Sequence, residues 1–231
     1  NASCPFCVSH MTGFDEIPRT RDINARNLAK AALLAERAGT TTVLFTGKGE
    51  PTLYPDEISA YLRLLQGRSF PMIELQTNAL AIGRLARDGA SGTRLGAAHL
   101  REWYALGLDT VAVSVVDIDA EANQRVYSED YPDLARTLGY LHEHGFSVRL
   151  CVILHAGVVD GPERLEEVIT FCRGHGVEQL TIRPVRRPAK TESLVASDWV
   201  RQNALSDAQI DAIQRWADER GTLLMSLMHG A

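Results

Sequence analysis

Short runs rich in β-branched residues alternate with amphipathic helical stretches along the whole chain, and this alternation restricts the fold more than any other feature. Residues 41–46 (TTVLFT), 72–78, 110–116, 148–154 and 179–183 read as strands. Helical patterns stand between them. In residues 24–38, Leu28, Ala31, Ala32 and Ala35 share one face, and Gly39 closes the run. Further helices are expected from Pro55 to about Leu65, over 97–106, and over 133–144. Asp160-Gly161-Pro162-Glu163 opens another, with proline at its first position. Ser206 and Gln209 form a capping box for a helix ending near Arg220, and 222–228 reads as a final strand. Residues 79–96, with four glycines, and 184–200 read as irregular. Strands recurring every roughly 30–40 residues, with helices between, have the spacing of βαβ units. Right-handed crossovers build such units into a parallel sheet. The expected fold is α/β, a partial (β/α)6 TIM-like barrel of parallel strands, its first βα unit completed by a strand before Asn1. An open doubly wound sheet is the alternative.

A chain of 231 residues buries one large core, so one domain is expected over 1–231, truncated at both ends. The sequence contains no run of ~18 apolar residues, so no membrane span is expected. The net charge of −5 argues against broad nucleic-acid binding. Four cysteines in this length do not make a disulfide scaffold. Two of them are clustered, while Cys151 and Cys172 stand alone in apolar surroundings. That usage points to the reducing cytoplasm and to a metal site.

Period-2 alternation assigns the strand faces. One face would carry Thr46, Glu74, Gln76, Asn78, Ser114, Arg149 and Arg183, where an ordinary barrel interior holds Val, Ile and Leu. Each polar group buried without a partner costs ~1–3 kcal/mol. Either these side chains satisfy one another, as an Arg149–Glu74 pair would, or they receive a polar ligand.

Three motifs lie along this frame. Cys4-Pro5-Phe6-Cys7 sets two thiols at C-x2-C spacing, which suits a metal or cluster; half of a zinc site and a redox dithiol are the rival readings. Gly47-Lys48-Gly49-Glu50-Pro51 follows a strand, where α/β ligand sites lie, although a tight strand-to-helix turn would look the same. Gln76-Thr77-Asn78-Ala79 ends the next strand. With a cysteine before Asn1, the first motif becomes C-x3-C-x2-C with an aromatic before the last cysteine. In that form it resembles the cluster loop of the radical S-adenosylmethionine (SAM) enzymes. The order and spacing of the other two motifs resemble that family over nearly the whole chain. Lys48 departs from its Gly-Gly-Glu, and Ala79 replaces the glycine of its strand-end Thr-Asn-Gly.

The resemblance implies a radical SAM core domain. Cys4, Cys7 and the cysteine before Asn1 would bind a [4Fe-4S] cluster, leaving one iron open to SAM. Phe6 would lie near adenine. Gly49 and Glu50 would meet the SAM amine, and Gln76, Asn78, Ser114 and Arg149 would hold its ribose and carboxylate. The cofactors would be the cluster and SAM. Reductive cleavage of SAM would give a 5′-deoxyadenosyl radical that abstracts hydrogen from a small-molecule or peptide substrate. Flavodoxin or ferredoxin would serve as electron donor. The residues leave two other readings open. One is a (β/α)-barrel lyase using Lys48, and the other is a non-catalytic iron–sulfur or zinc-binding module. His10, close to the cysteines, is a candidate for the pocket lining, and Arg183, Arg186, Arg187 and Lys190 form a basic run.

Overall fold

The computed structural model describes residues 2, 4–7, 24–47, 49–128, 130–186, 191 and 193–225. His10, Lys48, Arg187 and Lys190 lie outside the described residues, as do 226–228 of the expected last strand. Five strands form one sheet: β1 (Thr42–Phe45), β2 (Met72–Thr77), β3 (Thr110–Val115), β4 (Ser147–Leu154) and β5 (Gln179–Pro184). Their spatial order is their order in the chain, and every neighbouring pair is parallel. Each crossover carries at least one helix, which places the helices on one side and leaves the other side of the sheet for a site. This sequential parallel arrangement is the partial barrel; a doubly wound sheet would reverse its strand order.

The register separates two layers. Leu75 lies opposite Val111, Val113 opposite Leu150, and Val152 opposite Ile182. Leu75, Val111, Val113, Leu150 and Val152 are fully buried against the helices. Side chains of this kind contribute ~1.5–3 kcal/mol each when removed from water. On the other face Gln76 lies opposite Ala112, Ala112 opposite Arg149, Ser114 opposite Cys151, and Cys151 opposite Thr181. The polar row inferred from alternation is therefore the inner face of the barrel.

Nine helices surround the sheet among the described residues: α1 (Ala25–Arg37), α2 (Pro55–Leu65), α3 (Leu80–Asp88), α4 (Ala97–Ala105), α5 (Ala120–Val126), α6 (Leu134–Glu143), α7 (Pro162–Gly174), α8 (Leu194–Asn203) and α9 (Asp207–Arg220). The Ser206–Gln209 capping box is formed. Helix α3 corrects the expectation of a loop over 79–96. Its Gly83 looks like a helix breaker, yet a Cβ there would lie 2.6 Å from Pro132 Cβ and 2.7 Å from Thr137 Oγ1. Glycine is what lets α3 approach α6 so closely. Helix α8 corrects the irregular reading of 184–200; Ser193 caps it by accepting from Ala196 N. Helix α5 was not anticipated. Residues 222–225 are not a strand: Leu223, Leu224 and Met225 are exposed and pair with no described strand.

Candidate functional site

Cys4 and Cys7 sit on a tight turn closed by a hydrogen bond from Cys7 N to Cys4 O, 3.1 Å. Both thiols are free and half-buried. Burial, reinforced by the neighbouring Cys7 thiol, pushes the Cys4 thiol up to about 11. Two thiols placed together in this way gain by sharing a cationic centre. Among the described residues no group of three or more His, Cys, Asp or Glu side chains could enclose a metal ion. Paired thiols at this spacing are the donor type that a zinc ion and an iron–sulfur cluster both take.

Aromatic side chains hold the turn. Phe6 meets Tyr127 edge-to-face at 6.5 Å and Trp199 of α8 at 5.4 Å, and Tyr127 meets Tyr131 at 5.5 Å. Burial raises both tyrosine hydroxyls above their usual range; the next contributions are Cys4 and Tyr131 for Tyr127, and Glu50 and Cys4 for Tyr131. The Tyr131 hydroxyl donates to Asn78 O at 3.2 Å. Phe6, Ile153 and Trp199 pack on Val185, Ala196 and Val200, so α8 reaches over the ends of β4 and β5.

Glu50 lies beside this turn, 6% exposed. Its Oε1 accepts from Thr52 N (3.0 Å), Thr52 Oγ1 (2.6 Å) and Thr77 Oγ1 (2.6 Å), and its Oε2 accepts from Asn78 N (2.9 Å). The carboxylate staples the end of β1 to the end of β2. Gly49, expected beside it at the amine, has φ +92°, a left-handed conformation that favours glycine. Ala79 also is left-handed, at φ 59°, in the position where the resembling motif has glycine. Asn78 Oδ1 accepts from Leu80 N and starts α3.

Deeper in the barrel, Gln76 Nε2 donates to Ser114 Oγ at 3.3 Å. Arg149 forms an ion pair with Glu74, which is 2% exposed at its side chain. Burial raises the Glu74 carboxyl and the Arg149 guanidinium opposes that rise. Of the two alternatives for Arg149, the pairing with Glu74 is the one formed, but its buried Nε has no hydrogen-bond partner. That orphaned donor, with the Gln76–Ser114 pair above it, fits a carboxylate or ribose.

The structure thus brings Cys4, Phe6, Cys7, Glu50 and Asn78 to the strand ends and sets Gln76, Ser114 and Arg149 below them. Sequence reasoning missed Thr52, Tyr131 and Trp199, and it quoted Thr77 in the strand-end motif without giving it a role. No spacing marks Tyr131, and Trp199 fell in the stretch read as irregular. A cleft between the end of β1 and α2 is lined by Thr46, Gly47, Glu50 and Pro51 as well as Phe45 and Tyr61, so it opens beside the Glu50 motif.

Among solved structures the chain is similar to SuiB of Streptococcus suis bound to S-adenosylmethionine, at 16% identity and TM-score 0.58, covering 95% of this chain and 42% of that one. A radical SAM methyltransferase from Sphaerobacter thermophilus matches at 21% identity and TM-score 0.58, covering 95% of this chain and 60% of that one. Methylornithine synthase (PylB) matches at 13% identity and TM-score 0.62, covering 96% of this chain and 60% of that one. The chain spans between 42% and 60% of the length of these proteins. No curated protein matches it. The model of the Radical SAM superfamily matches residues 1–172, the span that carries the cysteine turn, the Glu50 staple and strands β1 to β4, and the chain belongs to that superfamily.

Proposed function

We propose that this chain is the core domain of a radical SAM enzyme, in which Cys4 and Cys7 supply thiolates to a [4Fe-4S] cluster and the barrel interior receives SAM. The observation that carries this reading is the cysteine turn seated at the strand ends, beside Glu50 and above the polar Gln76–Ser114–Arg149 row. When bound, the cluster supplies the electron that cleaves the S–C5′ bond of SAM and releases a 5′-deoxyadenosyl radical.

The chain's own residues bind, orient and exclude water. Glu50 holds the β1 and β2 ends where the SAM amine approaches, and its Oε2, which among the described residues accepts from Asn78 N alone, keeps acceptor capacity for that amine. Gln76 and Ser114 orient the ribose hydroxyls, and the Arg149 Nε–H donates to the methionyl carboxylate, with Glu74 fixing the guanidinium plane. Phe6, Tyr127 and Trp199 exclude water from the cysteine turn. An unidentified substrate, a small molecule or a peptide, lies over the strand ends, and an external donor such as flavodoxin or ferredoxin delivers the electron. The free thiols suit a reducing cytoplasm, and no described helix is long and apolar enough to cross a membrane.

The test is anaerobic reconstitution of the full-length protein with iron and sulfide, followed by assay of 5′-deoxyadenosine release from SAM under dithionite. Release that disappears in Cys4→Ala and Cys7→Ala is expected. Iron uptake with no SAM cleavage would favour a binding module instead, and retention of zinc without iron would overturn the cluster.

A further inference from the structure

Helix α8 carries two apolar side chains in contact with solvent: Leu194 is 78% exposed and Val195 81%. Val195 stands four residues before Trp199, so the two are neighbours on one face of the helix. Trp199 meets Phe6 at 5.4 Å, and Phe6 lies between Cys4 and Cys7 in the chain. A line of side chains thus runs from solvent at Val195 through two aromatic rings to the cysteine turn. Val185, just past β5, belongs to the same apolar cluster as Phe6 and Trp199. The residue after it, Arg186, is exposed.

The charge of this face is opposite to that of the chain, whose net charge is −5. Among the described residues of 183–201 the one acid, Asp198, is paired with Arg201 at 3.0 Å, and Arg183 and Arg186 have no acidic partner. An exposed apolar pair therefore sits beside uncompensated positive charge, over an aromatic route to the cysteines. The cluster reading proposed above, on which this inference rests, requires an electron from outside. We infer that the α8 face, centred on Val195 and rimmed by Arg186, is where a flavodoxin docks to deliver it. Flavodoxins are acidic proteins, and the part of the flavin that meets solvent is the apolar dimethylbenzene edge of its ring. That edge fits Leu194 and Val195, while the carboxylates around it meet the field of Arg183 and Arg186. A patch this small suits a transient electron-transfer contact, which buries little area. The anionic flavin hydroquinone gives up one electron and becomes the neutral semiquinone. No proton moves, and the cluster at the turn is reduced by that one electron.

The experiment measures binding of oxidised flavodoxin to the full-length reconstituted protein by calorimetry, and the rate at which flavodoxin hydroquinone bleaches the cluster absorbance. Wild-type affinity is expected to fall as salt rises. Arg186→Glu should weaken binding about fivefold or more at low salt and slow the bleaching in proportion. Val195→Ser should weaken binding and keep its salt dependence. Arg101→Glu, which reverses an exposed charge on the distant α4, should leave both readouts within about twofold of the wild-type values. Dithionite needs no docking face and should drive 5′-deoxyadenosine release equally in every variant. That control separates the two readings. Absence of iron uptake or of dithionite-driven release in the wild-type protein overturns the cluster reading. Normal release, with flavodoxin binding unchanged in both Arg186→Glu and Val195→Ser, overturns the docking face alone, as it would if another part of the full-length chain covers α8. An equal loss in Arg101→Glu, or a face that binds a ferredoxin and not flavodoxin, also overturns it.

Discussion

Glu50 brings a carboxylate into a nearly sealed position, and four donors from Thr52, Thr77 and Asn78 hold it there. Glu50→Gln changes the fewest atoms, yet it turns one of two acceptor oxygens into a donor that faces other donors. That mismatch costs about 1–3 kcal/mol. Urea unfolding is therefore expected to show a loss of about 2 kcal/mol, and Glu50→Ala a loss at least as large. A fall in SAM cleavage in either variant then reports the opening of the β1–β2 staple as well as any altered contact with ligand. Unchanged stability in Glu50→Gln would show that the staple does not carry the load assigned to it. The sequence made Glu50 visible through its neighbours Gly49 and Pro51, but its role depends on Thr77, a residue 27 positions away. No local pattern announces that pairing.

At the level of elements, the five strands of the sheet were legible because period-2 alternation and β-branched runs are local signals. Gln76, Ser114 and Arg149 lie on the inner face as alternation put them, while Thr46 and Asn78 fall just past the ends of β1 and β2. Helices that announce themselves by caps were legible too: Asn24 accepts from Asn27 N, Asp133 from Arg136 N, and Ser206 from Gln209 N. Helices α3 and α8 were not, because each carries a signal that points the wrong way. For α3 that signal is Gly83, whose cause is tertiary: Pro132 and Thr137 occupy the space a side chain would need. Gly83→Ala thus sets two effects against each other. Helix propensity favours alanine by about 1 kcal/mol. Overlap with the Pro132 ring and the Thr137 hydroxyl opposes it, and inserting a carbon into packed space typically costs about 1–3 kcal/mol, more where the neighbour is a rigid ring. The net expectation is destabilisation by about 1–2 kcal/mol, read as a lower urea midpoint with an unchanged slope. A stabilised Gly83→Ala protein would mean that α3 and α6 can separate freely.

Across the described residues, the sheet pairs on both sides in its middle and on one side at β1 and β5. Strands β2, β3 and β4 pair on both edges, while β1 is half-exposed along its length. Stability therefore concentrates in the β2–β4 layer and the helices packed against it, and α7 contributes Cys172 to that core, 6% exposed. Burial pushes its thiol up from an ordinary 9.0 to about 11. The sign of the consequence is fixed. Above pH 9 the unfolded chain releases this proton while the native protein keeps it, so the native state binds more protons and stability falls as pH rises. The contribution is fully present below pH 9 and lost by about pH 11. At pH 10 the deficit from this one group is on the order of 1 kcal/mol. Cys172→Ala loses some packing at every pH, but it removes the proton linkage. Its unfolding free energy should therefore fall less steeply between pH 8 and pH 10 than that of the wild-type protein, and the two curves should approach each other by on the order of 1 kcal/mol over that interval. Parallel curves would show that water reaches Cys172 well enough for the thiolate to form in the native state, and that the α7 side of the core is looser than its packing indicates.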